Sequence, residues 1–390
     1  MKVINKLSIL ICVAVAFLCL SFISLSFKGK SPPIYIERAD ISSDGSLVAF
    51  IIKTKKENKS PGDSQLFVYS LKENKKWKIA KNVLGFLAWD GKNTLWFQVE
   101  ETNGTFSTYS WRKGMLRPKL LLKGRYINPC PSPDGKWLVC AFYPPEGVPE
   151  SEFLKESRNL IVYDLQKNKL KKVAFHRNYM PLFFQWSPDS SYLFIYCLGM
   201  KPTEYGLFLL KPPSFQPRVI SSKAYAIAGG SWCLSDGSIV YVEVEGAVSS
   251  SKSETKIPVA PPGFPFSSGP STQYNFWRYS EAKGKKLLWT EKGYDRLFAV
   301  SLDGRHLLIP HEDIDLEKRR YFYYLNLVDL NRKDCKRVER EEIRESVLGV
   351  RYNEGLGGFV IICPKGLYLL NSKGQLSPLL MLEKVISERE

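Results

Sequence analysis

The fold is decided by the stretch Pro131-Ser132-Pro133-Asp134-Gly135-Lys136, because its pattern recurs along the chain. This stretch is followed directly by the apolar segment Trp137–Phe142. An Asp-Gly-like turn between two apolar runs occurs seven times, at intervals of 44 to 67 residues. Asp-Gly pairs tolerate the positive backbone dihedral angles that a tight hairpin turn requires. A period of roughly 40 to 50 residues is typical of proteins built from repeated blades. The seven turns contain Asp44-Gly45, Asp90-Gly91, Asp134-Gly135, Asp189-Ser190, Asp236-Gly237, Asp303-Gly304 and Glu354-Gly355.

The residues around each turn predict four strands per repeat. The strand that leaves the turn is apolar at consecutive positions, as in Leu47-Val48-Ala49-Phe50, so both of its faces should be buried. A further apolar strand, such as Leu160-Ile161-Val162-Tyr163, and a more polar outer strand, such as Lys171-Lys172-Val173-Ala174, follow it. Sheets of this kind pack face to face around a ring. We therefore predict an all-β, seven-bladed β-propeller over residues 31–390.

The number of blades and the closure of the ring are less sharply defined by the sequence. In the seventh repeat Glu354 replaces Asp, and Leu376-Ser377-Pro378-Leu379-Leu380 is a short outer strand. Six blades with an irregular closure are therefore the alternative to seven. The segment Ile34-Tyr35-Ile36 either completes the last blade, which would close the ring, or belongs only to the first blade.

Two of the repeats carry a resemblance to a known family. Trp186-Ser187-Pro188-Asp189 and the stretch around Asp134, each followed by apolar strands, resemble the TolB-type, WD-like propeller repeat. That repeat also builds the propeller domains of the prolyl oligopeptidase and dipeptidyl peptidase families. The resemblance covers nearly everything after residue 33 and implies the architecture rather than an activity, because the shared residues form turns and cores.

The chain also departs from these families. TolB has an α/β domain before its propeller, and no such segment fits between residues 30 and 40. The peptidases have a Gly-x-Ser-x-Gly nucleophile elbow, which is absent from this sequence. The segment Gly229-Gly230-Ser231-Trp232-Cys233 begins like one but has Cys233 in place of the second glycine. Hydrolase activity is therefore not expected from the resemblance.

Residues 1–30 form a separate segment with the character of a membrane anchor. Leu7 to Phe27 is a run of 21 residues without a charged side chain, flanked by lysines on both sides. As a helix with a rise of about 1.5 Å per residue, it would be roughly 31 Å long and would cross a bilayer. The apolar cores of secretory signals are shorter, so we predict an uncleaved signal anchor with the propeller outside the cytoplasm. Ser24-Leu25-Ser26 has small residues suited to signal peptidase, and cleavage there would leave a secreted or periplasmic propeller.

The chain carries a net charge of +17, from 56 Lys and Arg against 39 Asp and Glu. Such an excess favours anionic partners such as a membrane surface, an acidic glycan or nucleic acid. The sequence contains no basic arm and no Gly-rich phosphate loop, so nucleic acid is not expected as a partner. The alternative interpretation is that the lysines only solvate the strand edges.

Six cysteines lie outside the hydrophobic segment, and none belongs to a Cys-x-x-Cys pair, which argues against a zinc site. Cys130 and Cys140 flank one turn, and in a hairpin they would lie nearly opposite each other. A disulfide between them in an oxidising compartment is one interpretation, and buried free thiols are the other.

His311-Glu312-Asp313-Ile314-Asp315-Leu316-Glu317 is the only acidic cluster with a histidine, and its alternating oxygen ligands could hold calcium. It lacks the glycine and the terminal glutamate spacing of an EF-hand, so a solvated loop is the expected structure. The three histidines of the chain show no spacing that suggests a nucleophile and its base. The sequence therefore names no catalytic residue, metal ligand or cofactor-binding residue.

Strand order places the Asp-Gly turns on one face of the ring and the connections between second and third strands on the other. Five of those connections are long, and long loops are uncommon unless they bind something or are disordered. We predict a non-catalytic scaffold that binds a protein or an anionic envelope component through this long-loop face. The alternative is a glycan lyase, lactonase or hydrolase with its active site at the channel mouth. The long connections are Lys53 to Ser64, Tyr143 to Arg158, Leu198 to Tyr205, Gly246 to Thr272 and Pro310 to Arg320.

Overall fold

The computed structural model describes residues 34–54, 64–101, 105–142, 149, 159–175, 179–199, 205–222, 234–245, 273–292, 297–315, 320–339 and 347–387. These residues form seven antiparallel sheets and one short helix. Each sheet is built from strands that are consecutive in the chain. The seven-bladed propeller is therefore confirmed.

The first four blades have four strands each, numbered in chain order. Blade 1 contains β1 (Ile34–Ile41), β2 (Leu47–Thr54), β3 (Ser64–Ser70) and β4 (Lys75–Lys81), and blade 2 contains β5 (Val83–Trp89), β6 (Leu95–Glu100), β7 (Phe106–Trp111) and β8 (Lys119–Gly124). Blade 3 contains β9 (Tyr126–Pro131), β10 (Trp137–Phe142), β11 (Asn159–Asp164) and β12 (Lys169–Ala174), and blade 4 contains β13 (Tyr179–Trp186), β14 (Leu193–Gly199), β15 (Tyr205–Leu210) and β16 (Arg218–Ser221).

The remaining three blades follow the same order. Blade 5 has three described strands, β17 (Ile239–Glu245), β18 (Gln273–Ser280) and β19 (Gly284–Lys292), and residues 223–233 before them lie outside the described residues. Blade 6 contains β20 (Ala299–Val300), β21 (His306–Asp315), β22 (Arg320–Asp329) and β23 (Asp334–Glu339). Blade 7 contains β24 (Gly349–Asn353), β25 (Gly358–Cys363), β26 (Gly366–Asn371) and β27 (Leu376–Met381), and helix α1 (Leu382–Ser387) ends the described chain.

The first strand of each four-stranded blade lies on the inside of the ring. β1 contacts β5, β5 contacts β9, β9 contacts β13, and β20 contacts β24. The last strands, by contrast, are largely exposed, as the all-exposed run at 169–172 in β12 shows. The first strands therefore line the centre of the propeller and the last strands form its outer edge.

The core consists of side chains packed between neighbouring blades. All six residues of β25 are buried, and Val48, Ala49 and Phe50 of β2 are fully buried. Apolar clusters join each blade to the next around the ring, including Val360 of blade 7 with Phe50 of blade 1. The consecutive apolar positions in the sequence thus reflect strands that are buried on both faces.

Among the described strands, no blade combines strands from both ends of the chain, so contacts between blades 1 and 7 close the ring. The Ile36 backbone N–H donates to the Pro364 carbonyl at 2.9 Å across this junction. β1 pairs only with β2, so the segment Ile34–Ile36 belongs to blade 1. The Asn353 side-chain amide donates a hydrogen bond to the Ser42 carbonyl at 2.8 Å across the junction. A Cβ on Gly355 would lie 2.3 Å from the backbone of Asp44, so only glycine permits this approach.

Helix α1 covers the same junction from the C-terminal side. Leu382 and Val385 are buried in the cluster shared by blades 7 and 1. The Lys76 ammonium of β4 donates to the Val385 carbonyl at 2.6 Å, and Lys384 donates to the Asn74 side chain at 2.9 Å. The C-terminal helix therefore holds blade 1 against blade 7.

The prediction of a loop from Pro310 to Arg320 is wrong for most of that segment. β21 and β22 form one long hairpin whose backbone pairing extends from His306↔Asp329 to Asp315↔Arg320. Residues 316–319 lie outside the described residues. The acidic positions 312–315 are extended strand backbone, so the solvated loop expected there does not form.

Candidate functional site

The recurring turns are stabilised by a serine two positions before the aspartate. In the third blade, the Ser132 hydroxyl donates to Asp134 Oδ1 at 2.6 Å and accepts the backbone N–H of Trp137 at 2.9 Å. Asp134 Oδ1 also accepts the backbone N–H of Lys136 at 3.0 Å. Equivalent networks surround Asp44, Asp189 and Asp303. The turn aspartates therefore have a structural role, as turn chemistry predicts.

These hydrogen bonds also set the charge state of the turns. Burial raises the pKa of the Asp134 carboxyl, but hydrogen bonds from Ser132 and Lys136 outweigh it, so the pKa lies below its ordinary value. The same balance lowers the pKa of Asp44, Asp189, Asp236 and Asp303. All five carboxyls are therefore ionised near neutral pH.

Three turns deviate from this scheme. In the fifth turn the serine follows the aspartate: the Ser238 backbone N–H and hydroxyl donate to Asp236 Oδ1 at 3.1 and 2.5 Å. Asp90 is itself buried, accepts the backbone N–H of Thr94 at 2.8 Å and accepts the indole N–H of Trp96 at 3.2 Å. In the seventh turn Asn353, not Glu354, accepts the backbone N–H of Leu356 at 2.9 Å. The weakness of the seventh repeat in sequence thus reflects a shift of the capping residue by one position.

The charged side chains nearest the centre of the ring lie where blades 1 and 7 meet. β1 has a bulge between Ile36 and Arg38, and bulges often re-aim side chains beside functional sites. The carboxylate of Asp40 on β1 pairs with the guanidinium of Arg351 on β24. Arg38 has no hydrogen-bond or ion-pair partner among the described residues. We call Arg38, Asp40 and Arg351 the junction charge cluster.

The two arginines of this cluster perturb each other. The surrounding protein desolvates the Arg351 guanidinium, and the nearby Arg38 charge repels it, which together lower the pKa of Arg351 to about 10. Burial also lowers the pKa of Arg38, and the neighbouring Glu37 carboxylate partly offsets this. Both arginines are charged at neutral pH, and within the cluster only Arg351 is paired with the Asp40 carboxylate. The cluster therefore has a surplus of positive charge in a confined position.

Glu37 does not neutralise this surplus, because it is already paired. Its Oε1 accepts a hydrogen bond from Lys53 Nζ at 2.5 Å. Its Oε2 is buried and has no hydrogen-bond partner among the described residues. The sequence signal for this site was the presence of charged residues in an otherwise apolar inner strand, Ile34-Tyr35-Ile36-Glu37-Arg38-Ala39-Asp40. Sequence analysis missed it because Arg351 lies more than three hundred residues away in the chain.

A second polar cluster joins blades 5 and 6. His311 is only 3% exposed, and its Nε2 lies 3.7 Å from Glu291 Oε1 and 3.2 Å from the Asn326 side-chain nitrogen. Its ring stacks on Tyr324 with centroids 4.8 Å apart. Burial raises the pKa of Glu291, and hydrogen bonds from Trp289 and Asn326 oppose this. His311 is thus a buried interblade residue, not a surface calcium ligand. The structure does not describe the side chains of residues 312–317.

The described residues contain no group of three or more His, Cys, Asp or Glu side chains that could hold a metal ion. The loops predicted to bind a partner contribute few described residues. Residues 55–63, 143–148, 150–158, 200–204 and 246–272 lie outside the described part of the chain. The long-loop face therefore stays a prediction from the sequence.

Cys130 and Cys140 are free thiols on opposite faces of blade 3. The strand register places Cys130 opposite Val139, and a bulge follows before Ala141. Cys130 packs in the cluster shared with blade 4, whereas Cys140 packs with Trp96 of blade 2. Of the two interpretations, the structure has the free thiols rather than the possible disulfide, because side chains alternate across a strand and these two point to different neighbours.

No helix among the described residues has the length and apolar character that crossing a membrane would require. The predicted anchor, Leu7 to Phe27, lies outside the described residues.

The propeller is similar to several solved structures. The β-propeller domain of the Trilobed protease from Pyrococcus furiosus, described as having an open velcro topology, aligns with a TM-score of 0.56 and 10% identity, over 89% of this chain and 98% of that chain. A prolyl endopeptidase structure aligns with a TM-score of 0.59 and 12% identity, over 94% of this chain and 51% of that chain. The chain thus spans about half the length of that enzyme.

A third similar structure is the oligogalacturonate lyase from Vibrio parahaemolyticus. Its TM-score is 0.53 at 10% identity, and the alignment covers 88% of this chain and 93% of that chain. No family model matches the sequence, and no curated protein matches it. At these identities the likeness shows the fold alone, a seven-bladed β-propeller shared with peptidase propeller domains, as the repeat resemblance implied.

Proposed function

We propose that this protein is a binding scaffold that holds an anionic group of its ligand at the junction charge cluster. The observation that supports this is the guanidinium of Arg38, which has no hydrogen-bond or ion-pair partner within the described part of the chain and lies near the Arg351–Asp40 pair. A guanidinium presents donors in a fork that matches a carboxylate or a phosphate. A bound monoanion would balance the surplus charge of the cluster.

The confined position of the cluster increases the strength of such a contact. Charges interact more strongly in the lower effective dielectric of a protein than in bulk water. The anion would be offered by a protein partner or by an anionic component of the cell envelope, which approaches the ring from the long-loop face. The Leu7 to Phe27 segment would hold the propeller at a membrane, with the propeller outside the cytoplasm.

The test is an anion titration of the purified full-length protein in neutral detergent. Citrate serves as the carboxylate probe and inorganic phosphate as the second probe, and calorimetry measures their affinities. The Arg38→Gln variant should bind about 10- to 100-fold more weakly, because a hydrogen bond to a charged group contributes roughly 1.5–3 kcal/mol. The matched control is Arg332→Gln, an exposed arginine on blade 6, which should leave the affinity unchanged.

Equal anion affinity in the parent protein and in Arg38→Gln would contradict the proposal. Circular dichroism of both variants establishes that the fold is retained. Incubation with oligosaccharide and lactone substrates tests the enzymatic alternative. Turnover abolished by Arg38→Gln would replace the scaffold function with a catalytic one.

A further inference from the structure

The connection between β7 and β8 of blade 2 exposes apolar side chains between basic ones. Residues 112–117, with the sequence Arg-Lys-Gly-Met-Leu-Arg, are all exposed, and Leu116 is fully exposed. The next strand begins with Lys119 and Leu120, which are also exposed. The twenty residues from 106 to 125 contain no Asp or Glu. We call residues 112–120 the basic hairpin.

The basic hairpin is an ordered part of blade 2. The indole N–H of Trp111 donates to the Met115 carbonyl at 3.2 Å, and the Met115 N–H donates to the Arg112 carbonyl at 3.0 Å. Arg112 Nε donates to the Thr94 hydroxyl at 2.6 Å. Gly114 has a φ of 93°, which glycine adopts without strain. These bonds fix the backbone that presents Leu116, so its exposure is built into the fold.

A tryptophan and further lysines lie next to the basic hairpin. Trp77 of β4 packs against Trp111, with ring centroids 6.2 Å apart. The ammonium groups of Lys75 and Lys113 lie 5.5 and 5.9 Å from the Trp77 ring centroid. Lys113 also pairs with Glu73 of the β3–β4 turn, which joins this surface across blades 1 and 2. The result is a continuous basic and aromatic edge.

The outer strands of the blades around the basic hairpin are rich in lysine. The outer strands β4, β8 and β12 together contain nine lysines and no acidic residue. The outer strand β27 of blade 7 contains no charged residue, β23 contains both signs of charge, and β19 contains three lysines and one glutamate. Blades 1 to 3 thus present three neighbouring outer strands that are basic and contain no acidic residue.

We propose that the basic hairpin and the outer edge of blades 1 and 2 dock onto an anionic lipid bilayer. Basic residues near such a surface are attracted by its negative potential, and each contributes about 1 kcal/mol. Leu116 and Met115 would enter the boundary between headgroups and acyl chains, where Trp77 is also favoured. Nucleic acid would use the lysines but has no comparable site for an exposed leucine.

The test keeps the full chain and separates this contact from its N-terminal hydrophobic segment. The protein is carried in phosphatidylcholine nanodiscs, and sucrose-loaded vesicles of phosphatidylcholine, with or without phosphatidylglycerol, are added and sedimented. The parent protein should sediment only with the phosphatidylglycerol vesicles, and high salt should release it. Leu116→Ser should weaken binding about tenfold and Arg117→Gln about fivefold.

Two exposed residues outside blades 1 and 2 provide matched controls. Leu287→Ser on β19 and Lys373→Gln in the last turn of blade 7 should sediment like the parent protein. Equal sedimentation of the Leu116→Ser and parent proteins would overturn the proposal. So would failure of the parent to bind anionic vesicles while it binds polyuridylate, because that result assigns the surface to nucleic acid.

Discussion

Replacing Asp40 by Asn should change stability and anion affinity in opposite directions. The substitution removes the carboxylate that pairs with Arg351 and leaves two guanidinium groups without a counter-charge. Breaking a fully buried ion pair costs about 3–5 kcal/mol. Because the Arg351 side chain is 40% exposed, water screens part of the lost attraction, and we expect a loss of about 1–3 kcal/mol.

The same substitution removes the carboxylate within the junction charge cluster, which competes with an anionic ligand for Arg351. At a separation of roughly 7 Å and an effective dielectric of about 20, a carboxylate opposes a bound monoanion by about 2 kcal/mol. Asp40→Asn should therefore bind citrate or phosphate roughly 10- to 30-fold more tightly, although the protein itself is less stable. A purely structural ion pair would produce only the loss of stability.

Thermal unfolding followed by tryptophan fluorescence measures the stability, and calorimetry at a temperature where both proteins are folded measures the affinity. Asp303→Asn, in a turn on blade 6, is the control for general charge, and it should leave the anion affinity unchanged. Weaker or unchanged anion binding by Asp40→Asn would refute the assignment of the junction charge cluster as an anion site.

Three further predictions concern the scaffold. Ser132→Ala should lower the free energy of unfolding by about 1–3 kcal/mol, because a buried N–H loses its partner, whereas exposed Ser43→Ala should have little effect in thermal melts. Folding lowers the pKa values of five turn aspartates. The stability that these carboxylates contribute is therefore complete above about pH 4 and is lost as the pH falls through their folded-state pKa values. Melting temperatures measured between pH 6 and pH 2 should show this decline. Among the described cysteines, exposed Cys335 should react with maleimide in the native protein, and Cys130 and Cys140 only after unfolding, as mass spectrometry would show.

The repeat predicted the blades because each turn uses local chemistry. The Ser-x-Asp network spans six residues, and the strands on either side are apolar in sequence and buried in the structure. Prediction failed where distant residues decide the structure. The hairpin of β21 and β22 continues through polar positions whose sequence predicts a loop. The buried environment of His311 depends on Glu291 from another blade.

The candidate site was hidden from the sequence for the same reason. Arg38 and Arg351 approach each other only because the two ends of the chain meet at the ring junction, and no local pattern encodes that contact. The inner-strand bulges of blades 1 to 4 have no common residue signature either. A repeat therefore predicts what the blades share, and function resides in how particular blades differ.

The position of the junction charge cluster links ligand binding to the integrity of the ring. Blades 1 and 7 share no strand among the described residues. They are held by side-chain packing, by helix α1, by the Arg351–Asp40 pair and by hydrogen bonds from Ile36 N–H to the Pro364 carbonyl and from Asn353 to the Ser42 carbonyl. An anion that contacts Arg38 of blade 1 and Arg351 of blade 7 would add a bond across the same junction. A ligand that binds only the closed ring stabilises it, by about 2.7 kcal/mol at a hundredfold excess over its dissociation constant. A partner bound at the junction charge cluster would therefore stabilise the closed ring at the place where the two ends of the described chain meet.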